Sequence, residues 1–590
     1  MDVLIEEFKK LRNSMESNKD EKHLIFLLLD LTAWKKLSEE KKVEKNLAFE
    51  EFIKQGKSKE EFLLNIANYL SEKHKILSRE VKRLISKLPN EIFIRLINII
   101  KNLKEYPIVD KVLNSDTIIR LFHRDVISYP QEIVELLLGI LRNEKFSEVY
   151  NPYPGLYRFA YHLSKKFNIP VYTEDFIPSS IPYLMNIINN VQIEPSFSNP
   201  LKNPSFKKGY TLKTFDISVS FLPINLRGEV PKDIYGRFKV SREGRKNSLD
   251  VANIEHILAQ TKNKAIIFVS PGLLSRSIGN ETELRKLLVD SGALEAVILL
   301  PENLLPNTFI SIAVLIINKT KQTKEVLFID ASNLYEKASV GRKNVLKDIK
   351  KIVNTYLDRI EVEGFSSLVS GEEIKQKGYS LNPKNYVKSK EDREIEELLN
   401  KFKKITLSEV AQIIHSPMVR RKEGNIEVYE VQISDIPESG VLEKVELKKK
   451  VDLDEKQLKD FSIKEHDVLL STKGTTGKVG IILEKPKNQI WIPGQTITIL
   501  RTKDKEDAIV LYMFLRSRVG QKILSNLKTG GTIGNIPSRA LRDLRIPLFK
   551  EDQRRSLIEA FEKEREIYEE IKRLETEVEN LKENVISNLV

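Results

Sequence analysis

The sequence contains no cysteine, and of its 24 glycines only Gly56 and Gly139 fall within the first 150 residues. Without cysteine there is no disulfide framework, thiol nucleophile, thiolate-bound zinc or cysteine-ligated iron-sulfur cluster. A run of some 20 apolar residues, the length needed to span a bilayer, is also missing. The first twenty residues, MDVLIEEFKKLRNSMESNKD, carry acids early and lack an uninterrupted apolar stretch, so they do not read as a secretory signal, and a cytoplasmic location is expected. The seven histidines are dispersed with no His-x-x-x-His pair, which argues against a zinc hydrolase. No GxxxxGK[ST] motif occurs, so an ATP-driven motor is not expected in this chain.

What is present is long and mildly basic. The chain has 590 residues, too many for one ordinary core, with 97 basic against 84 acidic side chains. That net charge of +13 is unevenly spread. Residues 401–550 hold 28 basic and 19 acidic side chains, whereas residues 551–590 hold 7 and 12.

Local texture divides the chain into four expected domains. Residues 1–147 place Leu, Ile and Phe three and four apart between Lys and Glu, as in HLIFLLLDLTAWKKLSEEKK, and predict a helical domain. Residues 148–395 alternate β-branched runs with helical ones, which predicts an open, largely parallel α/β sheet. The run AIIFVSPGLLS, ETELRKLLVDSG, LEAVILLPENLL, FISIAVLIINK reads as strand, helix, strand, strand. Residues 396–550 switch to short strands punctuated by Gly, Pro and Thr, predicting a β-rich α+β domain with tight turns at Gly474, Gly477 and Gly494. In 551–590, Ile567, Ile571, Leu574, Val578, Leu581 and Val585 alternate steps of four and three, a coiled-coil seam of about three heptads. Such a seam serves a homodimer, a hetero-assembly or packing on its own domain.

Residues 248–332, from SLDVANIEHILAQ to EVLFIDAS, resemble the modification subunits of type I restriction-modification systems, and GYSLNPKNYV continues the likeness. Residues 404–560 resemble a different component, the DNA-specificity subunit, through LSEVAQII, DVLLSTKGTTGKVGI, IPGQTITILR and GGTIGNIPSRALRDLRIPLFKEDQ. The chain therefore looks like a modification subunit fused to half a specificity subunit with one target recognition domain. The resemblance implies a Rossmann-like methyltransferase fold that moves a methyl group from S-adenosylmethionine to the N6 of adenine in DNA. It also implies double-stranded DNA and other restriction or modification subunits as partners, and no membrane.

The family's cofactor turn reads Asp-Pro-x-x-Gly-x-Gly, with an acid after the next strand for the ribose. Here the matching positions are Asn151, Pro152 and Gly155, with Tyr157 where the second glycine would stand, followed by Glu174 or Asp175. A tyrosine there puts a side chain where the cofactor needs close backbone approach. The family's catalytic loop reads Asn-Pro-Pro-Phe after a Phe-Asp pair. This chain has Phe215-Asp216, then Ser220, Phe221, Leu222 and Pro223. A serine hydroxyl presents different acceptor geometry from a carboxamide, and the aromatic that would stack a flipped base is displaced. Both motifs thus read as degenerate. The leading expectation is a sequence-specific DNA-binding protein whose methyltransferase-like domain is a scaffold. S-adenosylmethionine is expected only if the chain is active, and otherwise no cofactor. An active N6-adenine methyltransferase and an adaptor recruiting an intact subunit are the alternatives.

For DNA, the stretch Leu511–Lys550 holds eight basic residues against Asp543 alone. Arg516, Arg518, Lys522, Lys528, Arg539 and Arg542 are the expected phosphate contacts. Arg420, Arg421, Lys422, Lys473, Gln495 and Asn535 are the further candidates, since base edges are read by Arg, Lys, Asn and Gln.

Overall fold

The computed structural model describes residues 18–103, 129–223, 226–276, 280–305, 311–321, 323–338, 344–416, 424, 426–527 and 534–587. The chain forms two compact units, Met1–Ser389 and Lys390–Val590.

In the first unit the β-branched runs become a nine-stranded sheet. Its strands in chain order are β1 (Val149–Pro152), β2 (Val171–Asp175), β3 (Ile193–Phe197), β4 (Phe215–Phe221), β5 (Thr261–Val269), β6 (Leu294–Leu299), β7 (Ala313–Asn318), β8 (Glu325–Asp330) and β9 (Ser366–Ser370). They lie in the order β9-β8-β6-β7-β5-β4-β1-β2-β3. Neighbours from β5 to β3 run parallel, while β7 runs antiparallel to both β5 and β6. The central strands are continuous apolar runs because both faces are covered. Successive residues of β5 show this directly. Ile266 and Phe268 join the core on one face, and Ala265, Ile267 and Val269 join the core on the other.

The first of those cores also contains Leu24, Trp34, Phe52, Phe93 and Leu137. The helical N-terminal segment and one face of the sheet therefore share a single core. The change at 147/148 is a change of secondary-structure type and not of core. The long helix Asn18–Glu39 is its centre, with Trp34 edge-on to Phe49 at 4.9 Å and Phe52 at 5.4 Å.

In the second unit, Gln412–His415, Ile497–Arg501, Asp467–Ser471 and Val479–Ile481 make an antiparallel four-stranded sheet. A three-stranded sheet, Lys448–Val451, Ile426–Val431 and Trp491–Pro493, accompanies it. Asp467, 1% exposed in its side chain, takes Arg501 through two bonds of 2.8 and 2.7 Å, a forked pair that fixes the strand register. Of the three glycines read as turns, Gly474 and Gly477 have φ of 75° and 97°. Gly494 is glycine for another reason: its N–H donates to the Val431 carbonyl at 2.9 Å, and a Cβ would stand 2.8 Å from that oxygen. The terminal helix Glu551–Ser587 buries Phe561 in the core of this unit. Further along, Ile567, Ile571, Leu574, Val578 and Leu581 are 43–61% exposed. The side chain of Val585 lies outside the described residues.

Candidate functional site

Strand order reverses between β1 and β4, since β1 leads outward to β2 and β3, and β4 leads the other way to β5. In open α/β sheets the crevice beyond the carboxyl ends of strands at such a switch point is where ligands bind. The ends of β1 and β4 bring residues of the two motif positions together here. Asn151 Nδ2 donates to the Val219 carbonyl at 2.8 Å, and Ser220 Oγ donates to the Pro152 carbonyl at 3.0 Å. Asn151 and Ser220 are both fully buried.

The turn after β1 has the backbone of a glycine-rich turn but keeps only one glycine. Tyr153, Gly155 and Tyr157 all adopt left-handed backbone conformations, with φ of 55°, 59° and 59°. Glycine occupies such conformations freely, whereas each tyrosine holds one at a cost of about 1–2 kcal/mol. Burial of the rings offsets that cost. Tyr153 is 5% exposed and donates to Asn253 Oδ1 at 2.6 Å, while Leu156 and Tyr157 are 1% and 2% exposed. Burial raises the Tyr157 hydroxyl far above its ordinary pKa, with the nearby Asp175 carboxylate adding to the effect.

Glu174 and Asp175, at the end of β2, differ sharply. Glu174 is fully buried, and both oxygens are taken: Tyr150 donates to Oε2 at 2.7 Å, and the Ser198 hydroxyl and the Ser205 amide donate to Oε1 at 2.6 Å each. Asp175 is half-buried, accepts from the Ile177 amide at 3.3 Å, and is raised above the usual carboxylate range chiefly by burial. Of the two, Asp175 is the more exposed carboxylate.

Asp216 is not brought to this place. It sits at the opposite end of β4, four residues or about 13 Å from Ser220 at the usual rise of a strand. There it accepts from the amide and hydroxyl of Ser147 at 2.8 and 2.7 Å, bonds that lower its pKa, and caps the loop entering β1. Phe221 is likewise withdrawn. Its ring stacks on Tyr129 at 5.3 Å and Phe268 at 5.7 Å within the core, so it offers no face to a base. Leu222 is buried in the core on the other face and Pro223 is half-buried.

Sequence reasoning missed the buried polar chain behind the turn. Arg237, whose guanidinium can only donate, lies 3.1 Å from His256 Nδ1, and His256 Nε2 lies 2.9 Å from the Tyr150 hydroxyl. Burial, then the Arg237 charge, hold His256 down to about 3, so its imidazole is neutral. The neutral ring must accept from Arg237 and donate to Tyr150, which donates to Glu174. A cation and a carboxylate are thereby joined through two neutral groups inside the domain.

In the second unit the expected phosphate contacts separate into two groups. Arg516 is turned inward: its guanidinium meets Glu564 at 2.8 Å and the carbonyls of Ser439 and Glu438 at 3.1 and 2.8 Å. Arg518 pairs with Glu391 at 2.7 Å, and Lys522 with Asp392 at 3.0 Å. These three hold neighbouring helices. Arg539 is exposed, with Asp543 3.7 Å away. The other group surrounds a two-residue pairing of Lys473–Gly474 with Gly534–Asn535. Lys473, Gln495 and Arg542 are exposed there, and Asn535 is half-buried. Beside them His415 contacts the Thr498 hydroxyl at 3.2 Å, its pKa lowered by burial and then by the charges of Arg542 and Lys473. His415 thus marks where those two cations converge, and its sequence signal was its place at the mouth of the basic HSPMVRRK loop. Arg420, Arg421, Lys422 and Lys528 lie outside the described residues. A cleft of about 1110 Å³ elsewhere in this unit has a mixed lining, with Glu438, Glu443, Glu484, Glu564, Glu569 and Glu575 beside Lys485, Lys505, Arg565 and Lys572.

Comparison with known proteins agrees with this division. Residues 129–395 match the N-6 DNA methylase family, and residues 399–586 match the type I restriction modification DNA specificity domain. The methylase subunit of the type I restriction enzyme MjaVII from Methanocaldococcus jannaschii is 31% identical over 309 residues, 48% of this chain and 53% of that protein. The MpnII methylase subunit from Mycoplasma pneumoniae is 32% identical over 189 residues, 30% of this chain and 34% of that protein. This chain thus spans about half or less of these relatives' length. The crystal structure of a type I restriction-modification methyltransferase subunit from Streptococcus thermophilus superposes with a TM-score of 0.51 at 18% identity, over 65% of this chain and 98% of that one, a likeness of fold. The chain therefore joins, in one polypeptide, a domain of the N-6 DNA methylase family, residues 129–395, to a domain of the type I restriction modification DNA specificity family, residues 399–586.

Proposed function

We propose that this chain is a sequence-specific DNA-binding protein of a restriction-modification system, in which the methylase domain serves as scaffold and clamp and does not transfer methyl groups. One observation carries the reading. At the tip of β1, where a cofactor would approach bare backbone, the buried side chains of Tyr153, Leu156 and Tyr157 stand instead. Glu174 is fully engaged, and Ser220 and Phe221 are turned into the protein. These residues do not fit S-adenosylmethionine at the position the family assigns to it. DNA binding is supported by the specificity domain and by the exposed Lys473, beside the exposed Gln495 and Arg542.

The exposed seam from Ile567 to Leu581 supports a further helix as partner, from a second copy of the chain or from a restriction or modification subunit. Among the described residues no helix is long and apolar enough to cross a membrane. The reading places the protein in the cytoplasm, where its DNA is.

Calorimetric titration of the full chain with S-adenosylmethionine tests the proposal, run beside a labelled-methyl assay on duplex DNA. No binding heat and no label in DNA are expected. Binding together with transfer would overturn it. A second reading, adenine-N6 methyl transfer with the cofactor held in a variant manner, is favoured by three buried atoms without partners: Asn151 Oδ1, Thr173 Oγ1 and Asn253 Nδ2. Asn151 and Thr173 face each other across β1 and β2. Under that reading Ser220→Ala abolishes transfer.

A further inference from the structure

The segment 226–248, which follows β4, carries seven basic and three acidic residues in a part of the chain where no nucleic-acid contact was expected. Its ends are tied by a short antiparallel pairing of Arg227–Glu229 with Lys246–Ser248. Between them the chain is held rigidly from beneath. The Glu255 carboxylate, 3% exposed, accepts from three successive amides, those of Lys239, Val240 and Ser241, at 2.5, 2.6 and 2.9 Å. The one buried cation of the segment, Arg237, binds Asp233 at 3.0 Å and the carbonyls of Pro200 and Leu201 at 3.1 and 2.7 Å. Through His256 it is also joined to Tyr150 in β1.

The other six cations, Arg227, Lys232, Lys239, Arg242, Arg245 and Lys246, are all exposed. Among the described residues none of them has an acidic partner, although Glu229 and Glu243 lie in the same segment. An ordinary solvated surface intersperses the two signs and pairs many of them. Here the acids at hand are left aside, and the cations stand on a backbone pinned by a buried carboxylate and a buried guanidinium. Such a surface is pre-organised for a repeating anion, because little ordering remains to be done on binding.

We propose that segment 226–248 is a phosphate-binding platform for duplex DNA, which grips the backbone without reading sequence. It rests on the DNA-binding reading above and adds a second, sequence-independent contact surface in the methylase domain. DNA is the partner because the same chain carries a DNA specificity domain, which raises the local concentration of duplex around any second site.

The test compares the full chain with a variant carrying Arg242→Ala, Arg245→Ala and Lys246→Ala, by fluorescence anisotropy on labelled duplexes across a salt series. Each neutralised phosphate contributes about 0.9 to the slope of log affinity against log salt, so loss of three contacts lowers the slope by about 2.7. The same decrease is expected on duplexes of unrelated sequence, and Arg242→Lys with Arg245→Lys keeps the slope. A second variant, Arg227→Ala with Lys232→Ala, lowers it by about 1.8 on the same basis and covers the event that the first misfolds. Wild-type slopes in both alanine variants overturn the platform and leave DNA binding by the specificity domain intact. Failure of the unmodified chain to bind any duplex overturns both.

Discussion

Replacing Tyr157 with glycine tests whether the tyrosine ring takes the place of a ligand. The ring is 2% exposed, and emptying a buried aromatic site costs about 3–5 kcal/mol. Against this, glycine relieves the left-handed conformation at φ 59°, worth about 1–2 kcal/mol. The net loss is then about 1–4 kcal/mol, or a fall in melting temperature of roughly 1–5 °C for a unit of this size. Scanning calorimetry of the full chain reads that loss. The second measurement repeats the scan with S-adenosylhomocysteine, a stable adenosine ligand of the cofactor class. The variant, with its turn opened, is expected to regain stability as ligand is added, because anything that binds the folded state alone raises the transition. The unmodified chain is expected to show no shift. A ligand-induced shift of equal size in both proteins would refute the reasoning, since the ring would then not occupy the space. A fall well beyond 5 kcal/mol would mean that Tyr157 supports more than its own packing.

Other consequences are open to direct measurement. Asp30, fully buried with only the Leu77 amide on its carboxyl at 3.2 Å, is pushed up by burial from its ordinary 3.8 to about 8. Between those values the unfolded chain has released the proton that the folded one retains, so this group costs stability as pH rises, by about 1.4 kcal/mol per pH unit. Asp30→Asn should therefore raise the melting temperature more at pH 8 than at pH 5, and an equal rise at both would contradict the burial argument. Arg516→Ala should destabilise the second unit by about 1–3 kcal/mol, since it leaves the partners of a half-buried guanidinium unsatisfied, and should leave DNA affinity unchanged. Lys473→Ala with Arg542→Ala should do the reverse in the same filter-binding and melting assays. Changing Ile571 and Val578 to Asp should convert any self-associated form to monomer in sedimentation velocity, and an unchanged mass would remove the exposed seam from the assembly.

Much of the fold was legible because both faces of the sheet are covered, so its central strands read as uninterrupted β-branched runs. The reading of 265–318 as strand, helix, strand, strand corresponds to β5, the helix Glu281–Asp290, β6 and β7. The shared core was not legible, since periodicity shows that a helix has an apolar face and says nothing of what that face meets. The same blindness misled the reading of charge. A count of Lys and Arg over 511–550 gives a sign, and Arg516 finds Glu564 48 residues further on, as Lys522 finds Asp392 130 residues back. Linear adjacency failed at β4 as well. Asp216 and Ser220 read as one motif, yet an extended strand sets them toward its opposite ends. The basic excess of 226–248 is legible in a local charge count, whereas the bonds from Glu255 and Arg237 that pin its backbone join residues too far apart in the chain to be read there.

The pairing of Arg518 and Lys522 with Glu391 and Asp392 bears on how such a protein acquires a new target. Under the DNA-recognition proposal, a new target is given by grafting another recognition module, and the cut that looks natural from strand content falls near 396. A module taken from there would carry the two cations away from their counter-charges and would split the helix Lys390–Asn400 on which those acids lie. The transferable cassette begins instead at 390, and a chimera joined at that point inherits its own brace.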